Sequence, residues 1–361
     1  MDKENNKDLI KSPTAIICLS TEFGGMGLDA GKLAKKISCL SQTILIAKKN
    51  TFLATSMLNN HDIKLHEVSF LTSFSPSLIF SIRKIVKKHN IKNVIFFGAS
   101  ELKSLFFSLL GLDINLIIRH GTRKRPKRNW YHPLIYSSVN YHIGISKDLT
   151  NNVRKGIPFG RQTKLLTIYS SILLQNDPKP RKNIQPVHII NVGRIVKDKG
   201  HTDMINACSI LHRNNIDFVL TLVGEGELNL VKHCKELAAN KPYKDKIIFT
   251  GKKSNIPDLL NDNDIFFFPS YGEGLSNAFI EGLSYGLVCL AYNNTSFSEF
   301  QDLGFHLHLA KNLDPSSLET NLYNISRNLK DEKNKSLNNI TVAKKVFNPS
   351  NEIKAYANIL L

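Results

Sequence analysis

Apolar, β-branched and aromatic residues fall in short runs along this chain, each closing on glycine or a small polar residue before a helical pattern begins. In the first half the runs are TAIICLS (14–20), TILIAKK (43–49), VIFFGAS (94–100), INLIIRHG (114–121) and YHIGISK (141–147). In the second half they are VHIINVG (187–193), FVLTLVG (218–224), KIIFTG (246–251), DIFFFPS (264–270) and LVCLAY (287–292). Near-continuous runs of this kind predict strands buried on both faces, as in parallel sheets covered by helices. Between the two series, LLQNDPKPRKNIQPV (173–187) holds three prolines and few apolar anchors, and it reads as a linker. The expected fold class is α/β, with two doubly wound domains in tandem facing across a cleft. Ligands of such sheets bind beyond the C-terminal strand edges. The expected boundaries are 1–172 for the first domain, 173–186 for the linker, 187–345 for the second domain and 346–361 for a final amphipathic helix. Within 311–340, where Asn, Lys and Ser dominate, the pattern predicts surface helix and loop.

Length and composition agree with this division. The chain has 361 residues, enough for two or three domains, and its 42% hydrophobic and 22% charged residues suit a globular chain with a full core. No apolar run reaches the ~18 residues of a membrane-spanning helix. The N-terminal MDKENNKDLIKSP has no apolar core of a secretory signal. Five scattered cysteines without C-x-x-C spacing predict reduced thiols and a cytoplasmic location.

Charge changes the picture more. The formal net charge is +18; residues 1–185 carry 29 Lys/Arg against 11 Asp/Glu, and the remainder carries 19 against 19. The excess is thus confined to the first half, which predicts that this half faces an anionic partner: a membrane surface, an acidic glycolipid or a nucleic acid.

The sharpest chemical signal is YGEGLSNAFIEGLSYG (271–286). Glu273 lies in a glycine-flanked loop after a strand, Ser276 or Asn277 can cap the next helix, and Glu281 sits inside an apolar helical stretch, where a carboxylate is costly without a partner. Two carboxylates so placed suit the hydroxyls of a sugar or ribose, and the free N–H groups of the helix start suit a phosphate. Upstream, NVGRIVKDKGH (191–201) sets Arg194 and Lys199 at a strand exit between Gly193 and Gly200, where two cations would neutralise a diphosphate. VGEGEL (223–228) adds a further Gly-rich turn.

With these residues in order, the second half resembles the donor domain of the retaining glycosyltransferases of family 4 (group 1), which have the GT-B fold of two Rossmann-like domains. The resemblance runs through Gly193-Arg194, Lys199-Gly200, Val223-Gly224-Glu225-Gly226, Phe249-Thr250-Gly251, Pro269-Ser270, Glu273-Gly274, Glu281 and Glu299, over roughly residues 187–300. One departure is Gly282, where the family usually has alanine. The resemblance implies that Arg194 and Lys199 hold the diphosphate of a nucleotide sugar and that Glu281 binds the ribose. Glu273 would contact the donor sugar, with Gly224, Gly274, Leu275 and Ser276 completing the phosphate site. Glu299 would orient the site. It also implies a final helix that crosses back to the first domain.

In the first half, Gly24, Gly25 and Gly27 precede a helix and let backbone amides approach a phosphate or sugar. They are similar in position to the family's Gly-Gly loop over the donor phosphates or the acceptor. The resemblance places His120, at a strand end, near the donor sugar and acceptor, so that the chemistry would fall to His120, Glu273, Arg194 and Lys199. Ser146-Lys147 matches the family's Ser-Lys strand exit in a structural role. Six cations then crowd ten residues: Arg119, Arg123, Lys124, Arg125, Lys127 and Arg128, followed by Trp130 and Tyr131. Cations beside amphipathic aromatics suit an anionic lipid surface or an acidic glycan acceptor. A second cluster, Arg83, Lys84, Lys87 and Lys88, decorates the amphipathic pattern SLIFSIRKIVKKHN (77–90), a candidate interfacial helix.

The reading is a retaining glycosyltransferase moving a sugar from a nucleotide-diphosphate donor, a UDP-sugar by preference, to an anionic glycan or glycolipid. The setting would be bacterial lipopolysaccharide or surface-polysaccharide assembly at the inner face of the cytoplasmic membrane. No cofactor or metal is expected: Asp262-Asn263-Asp264 leads into a strand and reads as a turn rather than a metal-bridging motif. The rival readings are a nucleotide-sugar epimerase of the same architecture and a nucleic-acid-binding protein, the latter leaving Arg194, Glu273 and Glu281 unexplained.

Overall fold

The computed structural model describes residues 12–21, 25–58, 63–98, 100–123, 125, 127, 129–172, 178–179, 181 and 185–361. The chain divides into two compact units, Met1–Ser170 with Pro349–Leu361, and Ser171–Asn348. Most of the linker expected at 173–186 lies outside the described residues.

In the first unit, β1 (Thr14–Cys18), β2 (Thr43–Lys48), β3 (Lys64–Val68), β4 (Asn93–Phe97), β5 (Asn115–His120), β6 (Tyr141–Gly144) and β7 (Lys164–Thr167) form one parallel sheet, in the order β3-β2-β1-β4-β5-β6-β7. In the second, β8 (Val187–Val192), β9 (Phe218–Val223), β10 (Ile247–Gly251), β11 (Ile265–Phe268), β12 (Val288–Asn293) and β13 (His308–Lys311) form another, in the order β10-β9-β8-β11-β12-β13. Both sheets are doubly wound, so the two-domain α/β architecture predicted from the apolar runs is present. Strand order reverses between β1 and β4 and between β8 and β11, the switch points at which such sheets bind ligands.

Burial on both faces explains the sequence pattern. Along β1, Ile16 and Cys18 join a core with Ala30 and Leu33 of the helix Gly25–Ile37. Ala15 and Ile17 join another with Leu78, Ile82 and Val86 of the helix Pro76–Lys88. Alternate side chains feed two helical layers, so neither position can be polar. The ten predicted strands are all present, and three more were not predicted: β3, β7 and β13. All three are sheet edges, partly exposed, with sequences KLHEV, KLLT and HLAK. With one neighbour and a solvated side they carry charged residues and lose the apolar signature. The stretch 311–340 is largely helical, through Pro315–Arg327 and Leu329–Ser336.

The final helix, Pro349–Ala357, belongs to the first unit. Tyr356, Ile359 and Leu360 are buried in the core that contains Ile16. Its Glu352 accepts from Lys36 at 2.6 Å and from Arg119 at 3.1 Å. Arg119 is 2% exposed and also donates to Asp29 at 2.9 and 3.2 Å, to Ser170 Oγ at 2.6 Å and to Tyr356 Oη at 2.8 Å. Burial opposes its charge, but Asp29 and Glu352 hold the guanidinium pKa well above its usual value. Arg119 must therefore be struck from the surface cluster of six cations. It is a core cation, buried because its strand is central and two carboxylates meet it there.

Candidate functional site

The exits of β8, β9 and β11 are built against one another by backbone contacts that exclude side chains. The amide of Gly193 donates to Val223 O at 2.9 Å and that of Ile195 to Glu225 O at 2.9 Å. A Cβ on Gly224, at φ +145°, would lie 1.9 Å from Gly193 O, and one on Gly200, at φ +66°, would lie 2.2 Å from Pro269 O. Glycine is required at both places by conformation and by close approach.

This packing brings together residues that the sequence holds more than seventy positions apart. Lys199 Nζ forms an ion pair with Glu273 Oε1. Ser270 Oγ donates to the same carboxylate oxygen at 2.9 Å, with a contact to Asp198 O at 3.0 Å, and the Tyr271 amide donates to Asp198 O at 2.8 Å. The Glu273 amide donates to Thr295 Oγ1 at 3.0 Å, and Asn294 Nδ2 donates to Ser270 O at 3.0 Å. The loop after β12 thus fixes the backbone of the Glu273 loop. Thr295 and Asn294 were not singled out from the sequence; the signal would have been the Asn-Asn-Thr turn at a strand exit.

Arg194 is exposed, and its side chain forms no ion pair among the described residues. It is available to an anion in a way that Lys199 is not. Ser276 caps the helix Asn277–Ser284, its Oγ accepting from the Phe279 amide at 3.3 Å. Gly274 and Leu275 are half-buried in the loop before it, and Glu281 is half-buried on its second turn. Glu299 is buried in the helix Phe297–Asp302. Gly282 has a packing cause: a Cβ there would lie 2.6 Å from the Phe266 ring of β11. His201, just beyond Gly200, is buried, and burial together with Lys199 lowers its pKa to about 4, so it is neutral at pH 7. A cavity of about 470 Å³ opens beside these loops, lined among others by Val196, His201, Thr202, Glu227, Leu230 and Tyr271.

Within Asp262-Asn263-Asp264, the Asp264 carboxylate has other work at the opposite edge of the sheet. Asp264 is fully buried at the entry of β11, where it accepts from Arg181 at 2.7 Å and from the His188 amide at 3.0 Å and pairs with Lys333.

In the first unit, Gly24 lies outside the described residues, and Gly25 opens the helix Gly25–Ile37, with nothing within 4 Å of where a Cβ would stand. His120 ends β5 but is buried, its Nε2 2.8 Å from His142 Nδ1. Burial lowers the His142 pKa to about 4. Ser146 caps the helix Lys147–Gly156, accepting from the Leu149 amide at 3.2 Å. Of the basic segment, Arg123 and Arg125 are exposed, Lys127 is half-buried, and Lys124 and Arg128 lie outside the described residues. Arg123 pairs with Asp148. Trp130 is 88% exposed, edge-on to Tyr131, whose ring is covered by Lys103 at 4.1 Å.

The second basic cluster needs correction. The apolar stripe of the helix Pro76–Lys88 (Leu78, Ile82, Val86) is buried in its own unit, as in any helix that covers a sheet. Arg83 donates to Ser108 O at 3.1 Å and Leu110 O at 2.8 Å, capping the helix Leu102–Leu109. Only Lys84, Lys87, Lys88 and the exposed Phe80 remain for a partner. No helix among the described residues is long and apolar enough to cross a membrane.

The switch point thus presents an exposed arginine, a lysine held by a glutamate and a capped helix start, groups whose chemistry suits an anion with attached hydroxyls. Residues 175–341 match the sequence profile of the family described as glycosyl transferases group 1. The chain is 28% identical over 254 residues to the capsular polysaccharide biosynthesis glycosyltransferase CapH of Staphylococcus aureus, covering 64% of this chain and 69% of that protein. It is 33% identical over 105 residues to the UDP-Gal:alpha-D-GlcNAc-diphosphoundecaprenol alpha-1,3-galactosyltransferase of Escherichia coli, covering 28% of this chain and only 27% of that one. A glycosyltransferase structure from Rickettsia africae superposes with a TM-score of 0.83 at 17% identity, covering 97% of this chain and 98% of the other, which shows the shared fold. Residues 175–341, lying within the second unit, thus carry the segment of the group 1 glycosyltransferase family.

Proposed function

We propose that the protein transfers a sugar from a UDP-sugar to an anionic glycan or lipid-linked glycan, with retention of configuration and without a metal ion, in surface-polysaccharide or lipopolysaccharide assembly. The observation that carries this reading is the convergence of Arg194, the Lys199–Glu273 pair and the Ser276-capped helix at one switch point. The leaving nucleoside diphosphate develops charge as the glycosidic bond breaks. Arg194, exposed and in no ion pair among the described residues, and Lys199, held by Glu273, meet that charge, and the helix N-terminus adds its dipole. Glu273, positioned by Ser270 and Thr295, accepts from sugar hydroxyls, and Glu281 does the same for the ribose. His120 is assigned to the transferred sugar by resemblance, with His142 behind it. The CapH relative supports a polysaccharide setting, and the Escherichia coli relative, by its name, supports a UDP-sugar donor and a diphosphoundecaprenol-linked acceptor. The exposed Arg123, Arg125 and Trp130 suit the inner membrane surface at which such acceptors lie.

The test is thermal stability with UDP, GDP, ADP and CMP, on the wild type and Arg194→Ala. A nucleotide at ~100 times its Kd adds ~2.7 kcal/mol, a few degrees for a chain of this size. UDP is expected to shift the wild type and not the variant. If no nucleotide shifts the wild type, the donor reading fails. Turnover then decides the chemistry: proton NMR of the product gives the anomeric configuration, and product formation with EDTA present tests the absence of a metal. Conversion of the donor to an isomer without any acceptor would replace the reading by epimerisation.

A further inference from the structure

Far from the switch point, at the opposite edge of the second sheet, two imidazoles and a carboxylate converge. His308 opens β13, and His306 stands two residues before it on the same side of the extended chain. Both Nε2 atoms lie 2.7 Å from one oxygen, Oε2 of Glu332, on the helix Leu329–Ser336. The three ligand atoms fall within 4.8 Å of one another. Asn339 holds the His306 backbone from both sides, accepting from its amide at 2.8 Å and donating to its carbonyl at 2.7 Å. Glu332 is nearly buried, whereas the two rings stay partly open to solvent.

We propose that His306, His308 and Glu332 bind one divalent transition-metal ion of the zinc class, in a structural site separate from the sugar-transfer site. Two nitrogens and one oxygen are a donor set that zinc and its neighbours accept, with water in the fourth position. At bonds of about 2.0–2.1 Å a tetrahedral ion sets its ligands roughly 3.3 Å apart, so each Nε2 must part from Glu332 Oε2 by only about 0.6 Å. Lys335, which donates to the other Glu332 oxygen at 2.7 Å, has a half-exposed side chain that can turn to water when the ion enters. The ion would fasten the edge strand β13 to the helix behind it. It touches none of the strand exits that carry Arg194, Lys199 and Glu273, and so makes no claim on catalysis.

The full-length chain, stripped with EDTA and desalted, is titrated with zinc chloride and followed by proton–nitrogen spectra of its twelve histidine rings. One zinc per chain by elemental analysis is expected, with two ring systems shifting together, a higher melting temperature and an affinity at least tenfold weaker in His306→Ala and in His308→Ala. Cobalt should give the visible bands of a four-coordinate ion. The proposal fails if the stripped wild type takes up no zinc on titration, if rings other than these two respond, or if His306→Ala/His308→Ala binds as the wild type does. Should that double variant not fold, the ring spectra of the wild type decide alone.

Discussion

In the second unit the exits of β8, β9 and β11 are locked together by approaches that only glycine allows. In the first unit the exit loop of β1 leads to Gly25, around which a side chain would meet nothing within 4 Å. The two sheets share a winding plan, yet the second unit interlocks its strand exits through glycines, while the first presents the exposed cations Arg123 and Arg125. The charge follows the same division, with the excess wholly in residues 1–185 and a balance beyond. A site that holds an anion gains from rigidity, because its donors need no reorganisation as charge develops. A surface that meets a large anionic partner gains from accessible cations instead. The sheet plan alone does not decide function; the loops at its C-terminal edge do.

The comparison is broken most severely at Arg119, a guanidinium buried in the core of the first unit. Arg119→Met strands Asp29 and Glu352, and should cost about 3–5 kcal/mol of that unit's stability. Urea unfolding is the measure, with the second unit's transition unmoved.

Next comes the contrast between glycines. Gly224→Ala forces a β-carbon onto Gly193 O at a φ that alanine resists, and the conformation alone costs roughly 1–3 kcal/mol. Gly25→Ala should stay within about 0.5 kcal/mol. If calorimetry found the two alike, the claim of an interlocked second unit would be lost. Should Gly25→Ala raise the KM for the donor while leaving stability alone, the first unit's loop would join the donor site.

Each unit also buries one histidine whose pKa lies near 4, His142 and His201. Burial depresses the folded pKa below the unfolded value of about 6.5, so the unfolded chain binds more protons between the two. Stability is therefore full above pH 6.5 and declines as pH falls toward about 4. His142→Asn should flatten that decline for the first unit only, read from unfolding at pH 7 and pH 5.

The smallest effect is optical. Trp130 is the chain's one tryptophan and is solvent-exposed, so its emission should be that of a hydrated indole. Anionic vesicles should shift it to the blue, and high salt should reverse the shift. Arg125→Glu should weaken vesicle affinity several-fold. No shift at low salt would remove the membrane from the proposed function.

Legibility followed burial. Ten strands could be read because a strand buried on both faces has nearly every position apolar, and the glycine-bracketed loops could be read because a forced backbone admits one residue type. What the sequence by itself determined was therefore the two series of strands, a helix cap at Ser276 or Asn277, and the identity of Arg194, Lys199, Glu273 and Glu281 as the residues to watch. The tertiary structure alone decided that β3, β7 and β13 are strands, since an edge needs no apolar alternation. It decided that Arg119 is buried and that Arg83 caps a neighbouring helix, since a cation's contacts depend on partners many residues away. It also decided that His306, His308 and Glu332 meet, because a strand edge and a helix 24 residues on are joined by packing that no local pattern records.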